Sequence, residues 1–378
     1  MIVPEYYYVI VGGGLAGLQL ASEIQRNVFF HGKKVAIIDP SLKTENDKTW
    51  CFWEKGDGQW DHIVHKSWNK GKFVAKDIDK SLKLGDYTYK MIRSIDLYKE
   101  LKDQLRRSDN FYFIQDEIEK IDPVTRTAVG KKANYTATHF FDSRPTEAYK
   151  NDKNSNLIYQ HFKGWVVETE NESFDPDVFT MMDYRLKYED STSFTYILPI
   201  TSKKALIEYT FFTPFLTEET VYDEMLTRYI ENILQLKHWK ITETEKGVIP
   251  MTDFPFKKTN SRHITKIGTG GGWVKPSSGY SFRNTEKKVQ KIIENLKAGF
   301  ATTKGIYNRK FRKYDAIFLD VLYNNNELGE SLFSKLYSKN SMEEIFRFLD
   351  EETGFNEDLK IMLSLYHPEF IRSFFRKL

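Results

Sequence analysis

Near the start of the chain, Gly12-Gly13-Gly14-Leu15-Ala16-Gly17 has the Gly-x-Gly-x-x-Gly spacing that seats a phosphate on a helix N-terminus. It directly follows an apolar run, Tyr6-Tyr7-Tyr8-Val9-Ile10-Val11. Gly12 permits the tight turn, Gly14 lets the backbone approach a pyrophosphate, and Gly17 lets the helix pack closely on the strand. Lys34-Val-Ala-Ile-Ile-Asp39 reads as the next strand. Asp39 lies 22 residues past Gly17, where a carboxylate accepts hydrogen bonds from the ribose hydroxyls of an adenosine. A second glycine-rich stretch, Gly268-Thr-Gly-Gly-Gly-Trp-Val-Lys-Pro-Ser-Ser-Gly279, follows another short strand, Ile264-Thr-Lys-Ile. There Gly270 and Gly279 would let the backbone approach a ribityl chain and flavin ring, with Pro276 shaping the turn. The first loop predicts a dinucleotide; the two together point to FAD.

The elements that must hold these loops follow from periodicity. Residues 6–39 predict a β-α-β unit with its helix from Leu15 to Phe29. Phe111–Ile114 and Thr136–Phe141 read as further strands. The second ends in Asp142-Ser-Arg-Pro145, a polar cluster facing the ligand crevice of a doubly wound fold, which makes Asp142 a cofactor-side candidate. From 160 to 212 the pattern turns to antiparallel strands. In Lys204–Phe212, alternation places Leu206, Glu208 and Thr210 on one face and Ile207, Tyr209 and Phe211 on the other. Thr217–Leu236 predicts a helix, 246–253 a short strand and turn, and 310–378 an all-helical tail. The expected fold is α/β: a Rossmann-like FAD-binding fold of the glutathione-reductase type, interleaved with an antiparallel-sheet domain and closed by a helical C-terminal segment. The predicted division is 1–48, 110–150 and 258–300 for FAD; 49–109 and 151–257 for substrate; and 301–378 for the helices.

Composition narrows the function classes. The 378 residues are 40% hydrophobic and 29% charged, a globular balance with room for two domains. A net charge of +3 without an arginine-rich run argues against a nucleic-acid footprint. One cysteine, Cys51, permits no internal disulfide and excludes a thiolate zinc cluster, which fits a cytoplasmic setting. His62 and His65 lack a third ligand at suitable spacing, so no metal is expected. No apolar run reaches the length of a membrane span, and no secretory leader is read. Aromatic residues make up 15% of the chain. Large cores explain most of them; an aromatic-lined tunnel for a large apolar ligand is the second reading.

An ordered set of motifs resembles the flavin-dependent lycopene cyclases of the bacterial β-cyclase branch. They are Asp47-Lys-Thr-Trp-Cys-Phe-Trp53, Phe141-Asp-Ser-Arg-Pro145, Gln160-His-Phe-Lys-Gly-Trp165, Met181-Met-Asp-Tyr-Arg185 and Tyr196-Ile-Leu-Pro199. Ala205-Leu-Ile-Glu-Tyr-Thr-Phe211, Gly247-Val-Ile-Pro-Met-Thr252 and Lys275-Pro-Ser-Ser-Gly-Tyr-Ser-Phe282 continue the series. The resemblance implies that lycopene, or a related acyclic carotenoid, is cyclised through γ-carotene to β-carotene without net redox change. It also implies reduced FAD, NAD(P)H as reductant, and peripheral contact with the inner face of the membrane.

In that chemistry an alkene carbon is protonated, the resulting tertiary cation is attacked by a neighbouring double bond, and a ring proton is lost. A carboxyl kept neutral by apolar surroundings suits the first step. The resemblance carries this role to Glu208, with Glu245 as the second candidate acid or ligand. Trp50, Trp53, Trp165, Phe211 and Trp273 are candidate aromatic faces for a cation. Phe370–Leu378, with three basic groups, suits either a membrane surface or a packed terminal helix. Phe348-Leu-Asp-Glu-Glu-Thr353 is similar to the carboxylate motif of plant cyclases but lies away from that strand, and reads as a helix segment. A flavin monooxygenase or isoprenoid reductase on the same scaffold, and a non-catalytic polyene carrier, are the rival functions. The deprotonating base, the extent of cyclisation and the oligomeric state are left open.

Overall fold

A computed structural model describes residues 5–377, so the first four residues and Leu378 of the terminal stretch lie outside the description. The nucleotide-side sheet has five parallel strands in the order Phe111–Gln115, Val35–Asp39, Tyr6–Val11, Asn134–Asp142 and Ile264–Lys266. Val9, Ile10, Val35, Ile38, Phe140 and Phe141 are fully buried, as expected of parallel strands covered on both faces. One face packs against helices Leu15–Arg26, Ser94–Leu105 and Phe282–Lys297. The other is covered by the antiparallel strands Ile118–Asp122 and Thr127–Gly130, which extend from Asn134–Asp142.

The first helix stops at Arg26, earlier than predicted. Asn27 leaves helical geometry, and its side chain accepts the Phe29 N–H at 3.1 Å to start a 3₁₀ turn at Val28–Phe30. A local side-chain acceptor competes with helix continuation in this way.

The second sheet has seven strands. In spatial order they are Trp239–Thr252, Leu157–Thr169, Lys204–Thr213, Ser193–Thr201, Val178–Asp183, Lys70–Ala75 and Ile78–Lys83; only the Val178–Asp183/Lys70–Ala75 pair is parallel. The predicted short strand at 246–253 is the end of a 14-residue edge strand, Trp239–Thr252. Its first ten residues lack the apolar alternation that marks a half-buried strand. Helix Glu219–Arg228 and the π turn Tyr229–Ile233 replace the single predicted helix 217–236. They cover Ile207, Tyr209 and Phe211, which leaves the Leu206/Glu208/Thr210 face free to point the other way. A three-stranded sheet, Thr49–Lys55, Tyr87–Arg93 and Lys66–Trp68, lies beside both layers. Within 49–109, the hairpin Lys70–Lys83 therefore joins the second sheet, while helix Ser94–Leu105 packs in the first core.

Helices Arg309–Asn324, Gly329–Lys339, Met342–Leu349, Phe355–Ser364 and Pro368–Arg376 form the tail. Leu319, Leu322, Leu332, Phe333 and Phe346 share a core with Phe194, Leu198, Leu206 and Phe212 of the second sheet. The string 348–353 is a helix end rather than a helix segment. The helix stops at Leu349, Asp350 accepts the Trp53 indole N–H at 3.1 Å, and Glu351 turns left-handed with φ +62°. Glu351 then meets Lys275 at 3.4 Å, and Asp315 meets the same ammonium at 3.1 Å. This buried cation ties the second glycine-rich stretch to the tail. Replacing it as Lys275→Met strands two carboxylates, so urea denaturation is expected to show a loss of about 3–5 kcal/mol, partly recovered by adding Asp315→Asn.

Candidate active site

The first glycine loop is shaped by close approaches. Gly12 has φ +105°, and a Cβ there would sit 1.9 Å from Ser143 Oγ; a Cβ on Gly17 would sit 2.0 Å from the Gly12 carbonyl oxygen. A Cβ on Gly14 would meet nothing within 4 Å, so this backbone faces open space. Asp39 accepts the Gly13 N–H at 2.8 Å and the Ser41 N–H at 2.8 Å, which fixes the carboxylate beside the loop. Helix Leu15–Arg26 has no side-chain cap, so its first N–H groups and positive dipole end are available to an anion.

The second stretch forms a 3₁₀ turn at Gly268–Gly271, a turn over Lys275–Tyr280, and then helix Phe282–Lys297, again without a side-chain cap. Both helix N-termini open into one cavity of about 940 Å³, whose lining includes Gly12, Gly14, Leu15, Ala16, Gly17, Asp39, Ser278 and Gly279. Ser278 Oγ and Gln160 Oε1 are buried at this wall without protein partners. The open backbone at Gly14 and these unpartnered polar atoms fit a dinucleotide cofactor lying between the loops.

The other predicted cofactor-side residues stand one layer back. Gly13 donates to Asp39. Gly270 lets the turn approach the Arg144 carbonyl, from which a Cβ would be only 2.3 Å away. Pro276 and Asp142 are outside the cavity lining. Asp142 is held by Arg144 at 2.8 Å and Lys266 at 2.9 Å; burial would raise its pKa, but these cations outweigh burial and keep it below the ordinary carboxylate value.

The cavity continues from this cradle into the space between the second sheet and the tail helices. There it is lined by Phe194, Leu198, Leu206, Phe212, Phe318 and Phe333. Glu208 and Glu245 face this apolar end from two different strands. In the ladders, Gly164 of the strand between them is opposite both Glu208 and Glu245. Thr210 donates its hydroxyl to Glu208 at 3.0 Å, and Thr49 donates to Glu245 at 2.7 Å. Burial first, and the Glu245 charge second, push the Glu208 carboxyl well above the ordinary range. Burial also raises Glu245, while the hydroxyl of Thr49 and a hydrogen bond with Glu208 hold it back.

Of the aromatic candidates, Trp50 and Trp273 line the cavity. Trp165 and Phe211 belong to the helix-covered face, and Trp53 stacks on Phe346. Residues absent from the sequence-based reading complete the wall. The hydroxyls of Tyr196, Tyr89 and Tyr280 form a buried chain, at 2.7 Å from Tyr89 to Tyr196 and 2.8 Å from Tyr89 to Tyr280. Cys51 stands beside Tyr196, its thiol pushed up to about 12 by burial. Tyr196 and Tyr280 fall within motifs already noted, but nothing in their spacing joins them to Tyr89. Exposed Leu216, Val248 and Phe374 also line the cavity, which places its mouth between the tail and the edge of the second sheet. His62 is on an exposed turn beside Glu100, remote in role from this wall.

A model of the family described as "Lycopene cyclase protein" matches residues 8–377. Neoxanthin synthase of Solanum lycopersicum is 25% identical over 331 residues, 80% of this chain and 62% of that protein; the chain thus spans under two thirds of that relative's length. Lycopene beta cyclase of Narcissus pseudonarcissus is 31% identical over 147 residues, 35% of this chain and 28% of that protein. Among solved structures, a geranylgeranyl bacteriochlorophyll reductase-like protein of Thermoplasma acidophilum superposes with TM-score 0.63 at 13% identity, covering 99% of both chains. The flavin-dependent brominase Bmp2 superposes with TM-score 0.62 at 13% identity, covering 91% of this chain and 93% of its own. These likenesses establish the fold as the Rossmann-like fold of flavin-dependent enzymes.

The raised Glu208 pKa has a stability consequence. The folded chain keeps a proton that the unfolded chain releases above about pH 4.3, so rising pH favours unfolding until the folded carboxyl itself ionises. Stability should fall by up to about 1.4 kcal/mol per pH unit in that window for the one proton involved. Glu208→Gln should flatten the slope, read by urea unfolding between pH 5 and 8.

Proposed function

The chain belongs to the lycopene cyclase family, and we propose that it is a lycopene β-cyclase, closing the acyclic ends of lycopene into β-rings by proton transfer without net redox change. The observation that carries this reading is Glu208: a buried carboxyl, pushed by burial well above the ordinary carboxylate range, on the wall of an aromatic-lined cavity that runs into a dinucleotide cradle. A reductase of isoprenoid double bonds would also need a proton donor in the tunnel, so the mass of the product is what separates it from a cyclase.

Glu208 delivers its proton to C2 of the terminal isoprene unit, leaving a tertiary cation at C1. The C5=C6 electron pair closes the ring onto C1, and loss of the C6 proton gives the β-ring. The faces of Trp50 and Trp273 attract the cation, and the apolar wall withholds water that would trap it as an alcohol. Gly12–Gly17, Asp39 and Ser278–Gly279 would hold FAD, which in its reduced form would supply negative charge to stabilise the cation, with NAD(P)H as the proposed reductant. In this reading 1–48, 110–150 and 258–300 serve FAD, 49–109 and 151–257 serve the polyene, and 301–378 closes the tunnel.

Among the described residues no helix is long and apolar enough to cross a membrane. The polyene dissolves in lipid, so the cavity mouth is proposed to meet the inner face of the membrane. The contact is apolar more than electrostatic. At the end of Pro368–Arg376, Arg376 and the following Lys377 pair with Asp320 and Asp253, at 2.6 and 2.7 Å, and Arg372 pairs with Glu369. Ile371 and Phe375 remain 49% and 70% exposed, one helical turn apart.

The first test supplies purified protein with lycopene in liposomes, FAD and NADPH under argon. Cyclic carotenoid of unchanged mass is expected, and Glu208→Gln should lower its formation by about 10²–10⁴-fold. A hydrogenated product would favour the isoprenoid reductase alternative, and an oxygenated product formed in air the monooxygenase. Separately, Ile371→Asp with Phe375→Asp removes about 1.5–3 kcal/mol of apolar burial per side chain from a membrane contact. Co-sedimentation with liposomes should fall at least tenfold, and the melting temperature should hold.

A further inference from the structure

Ring closure adds a proton at C2 and removes one at C6. In the closing ring both carbons are bonded to C1, so the two transfer sites are separated by a single atom. A base beside the acid, on the same face of the ring, is within reach of the second site. The sheet puts a second carboxyl at that place.

The register is the observation. Gly164 is opposite Glu208 in one ladder and Glu245 in the other, so the three residues form one row across adjacent strands. A Cβ at Gly164 would lie 3.5 Å from Glu208 Cβ, 3.2 Å from Glu245 Cγ and 3.1 Å from Leu206 Cδ1. The middle position of the row is thus filled by the side chains on either side of it, which converge over a residue that has none. Each carboxyl weighs on the other's titration, and Thr210 donates to Glu208 and Thr49 to Glu245. Arg93, whose charge reaches Glu245, is engaged by Glu243 at 2.7 Å. On an apolar wall without a cation of their own, two neighbouring carboxyls resist ionising together, because two adjacent negative charges are too costly there.

We propose that Glu208 and Glu245 act as a proton-sharing pair, with Glu208 the acid towards C2 and Glu245 the base that takes the C6 proton. This rests on the cyclase reading and assigns the base which that reading leaves open. The Glu208 O–H bond breaks as the C2–H bond forms. The C5=C6 pair becomes the C6–C1 bond. The C6–H bond then breaks, its electrons forming the ring double bond, and the proton goes to the Glu245 carboxylate. Transfer between the two carboxyls returns it to Glu208, so the pair ends each ring as it began, with no external acid, base or oxidant consumed.

The other titratable groups facing the pair stay neutral. Cys51 on Thr49–Lys55, Tyr89 on Tyr87–Arg93, Tyr196 on Ser193–Thr201 and Tyr280 after the second glycine loop are all pushed up by burial. None competes with Glu245 as the base near neutral pH, and none shares the acid role of Glu208.

The test is Glu245→Gln in the full-length, flavin-loaded protein, with lycopene in liposomes under argon. Product identity is resolved by chromatography and mass, and kcat is followed with pH. The acid needs its proton and the base must lack one, so the wild type should show a bell whose acidic limb belongs to the pair. Glu245→Gln should lose at least tenfold in β-ring formation, lose the acidic limb, and divert product to ε-rings, through other proton acceptors, or to ring alcohols, through addition of water to the cation. Glu245→Asp should restore β-rings as the sole cyclic product. The inference is overturned if folded Glu245→Gln makes only β-rings with the acidic limb intact, as for a residue that merely positions Glu208. It is equally overturned if the variant makes no ring at any pH, since Glu208 alone should still start the reaction. Absence of cyclic product from the wild type would instead remove the cyclase reading itself.

Discussion

The structure is organised around the placement of two carboxyl groups on an apolar sheet face. An ionised carboxylate there loses its hydration without recompense, and the neutral form is the cheaper state. Burial decides this against the hydroxyls of Thr210 and Thr49, which favour the ionised form. Thr210 and Thr49 satisfy the polar oxygens without bringing a charge. Tyrosines surround the pair in place of lysines or arginines. The tail helices pack Phe333 and their neighbours over the sheet and shut out water. Helix Glu219–Arg228 covers the opposite face of Lys204–Thr213, which leaves Glu208 only the cavity side.

Where one local rule decided the conformation, the sequence was a sufficient guide. The glycine loop between Val11 and Leu15 follows from what its turn and close approaches demand, and the strand at 204–213 from strict alternation. Trp239–Thr252 obeys no such rule. It is an edge strand whose exposed stretch carries Lys, Thr and Glu on both faces, so period-two apolarity is absent. Its partner Leu157–Thr169 supplies the order, and pairing across some eighty residues leaves no trace in either segment alone. Asp350–Thr353 failed for a related reason. Trp53 and Lys275 end that helix, and both come from far upstream.

The candidate site divides along the same line. Glu208 is conspicuous as an acid in an apolar strand, and the glycine loops carry their spacing openly. Gly164 is not conspicuous, because its lack of a side chain matters only once Glu208 and Glu245 flank it. Asp142, Gly270 and Pro276 show the converse. Each belongs to a segment that shapes the crevice, but their contacts face away from it, to Lys266, to the Arg144 backbone, or outside the cavity lining. Segment-level inference located the crevice; only packing could say which side chains look into it.

The second glycine stretch connects the two ends of the cavity. Its buried Lys275 pairs with Asp315 and Glu351 of the tail. Tyr280, directly after it, enters the hydroxyl chain leading through Tyr89 to Tyr196, the cross-strand neighbour of Glu208. Immediately afterwards it begins the helix whose uncapped N-terminus faces the cradle. A displacement of this stretch cannot be confined to one end. Moving it away from the cradle pulls a tyrosine from the acid wall and a cation from between two carboxylates, and close-packed interiors transmit such shifts instead of absorbing them. The geometry of the carboxyl-bearing wall and that of the glycine-loop cradle are therefore set together, by one segment of chain packed into both.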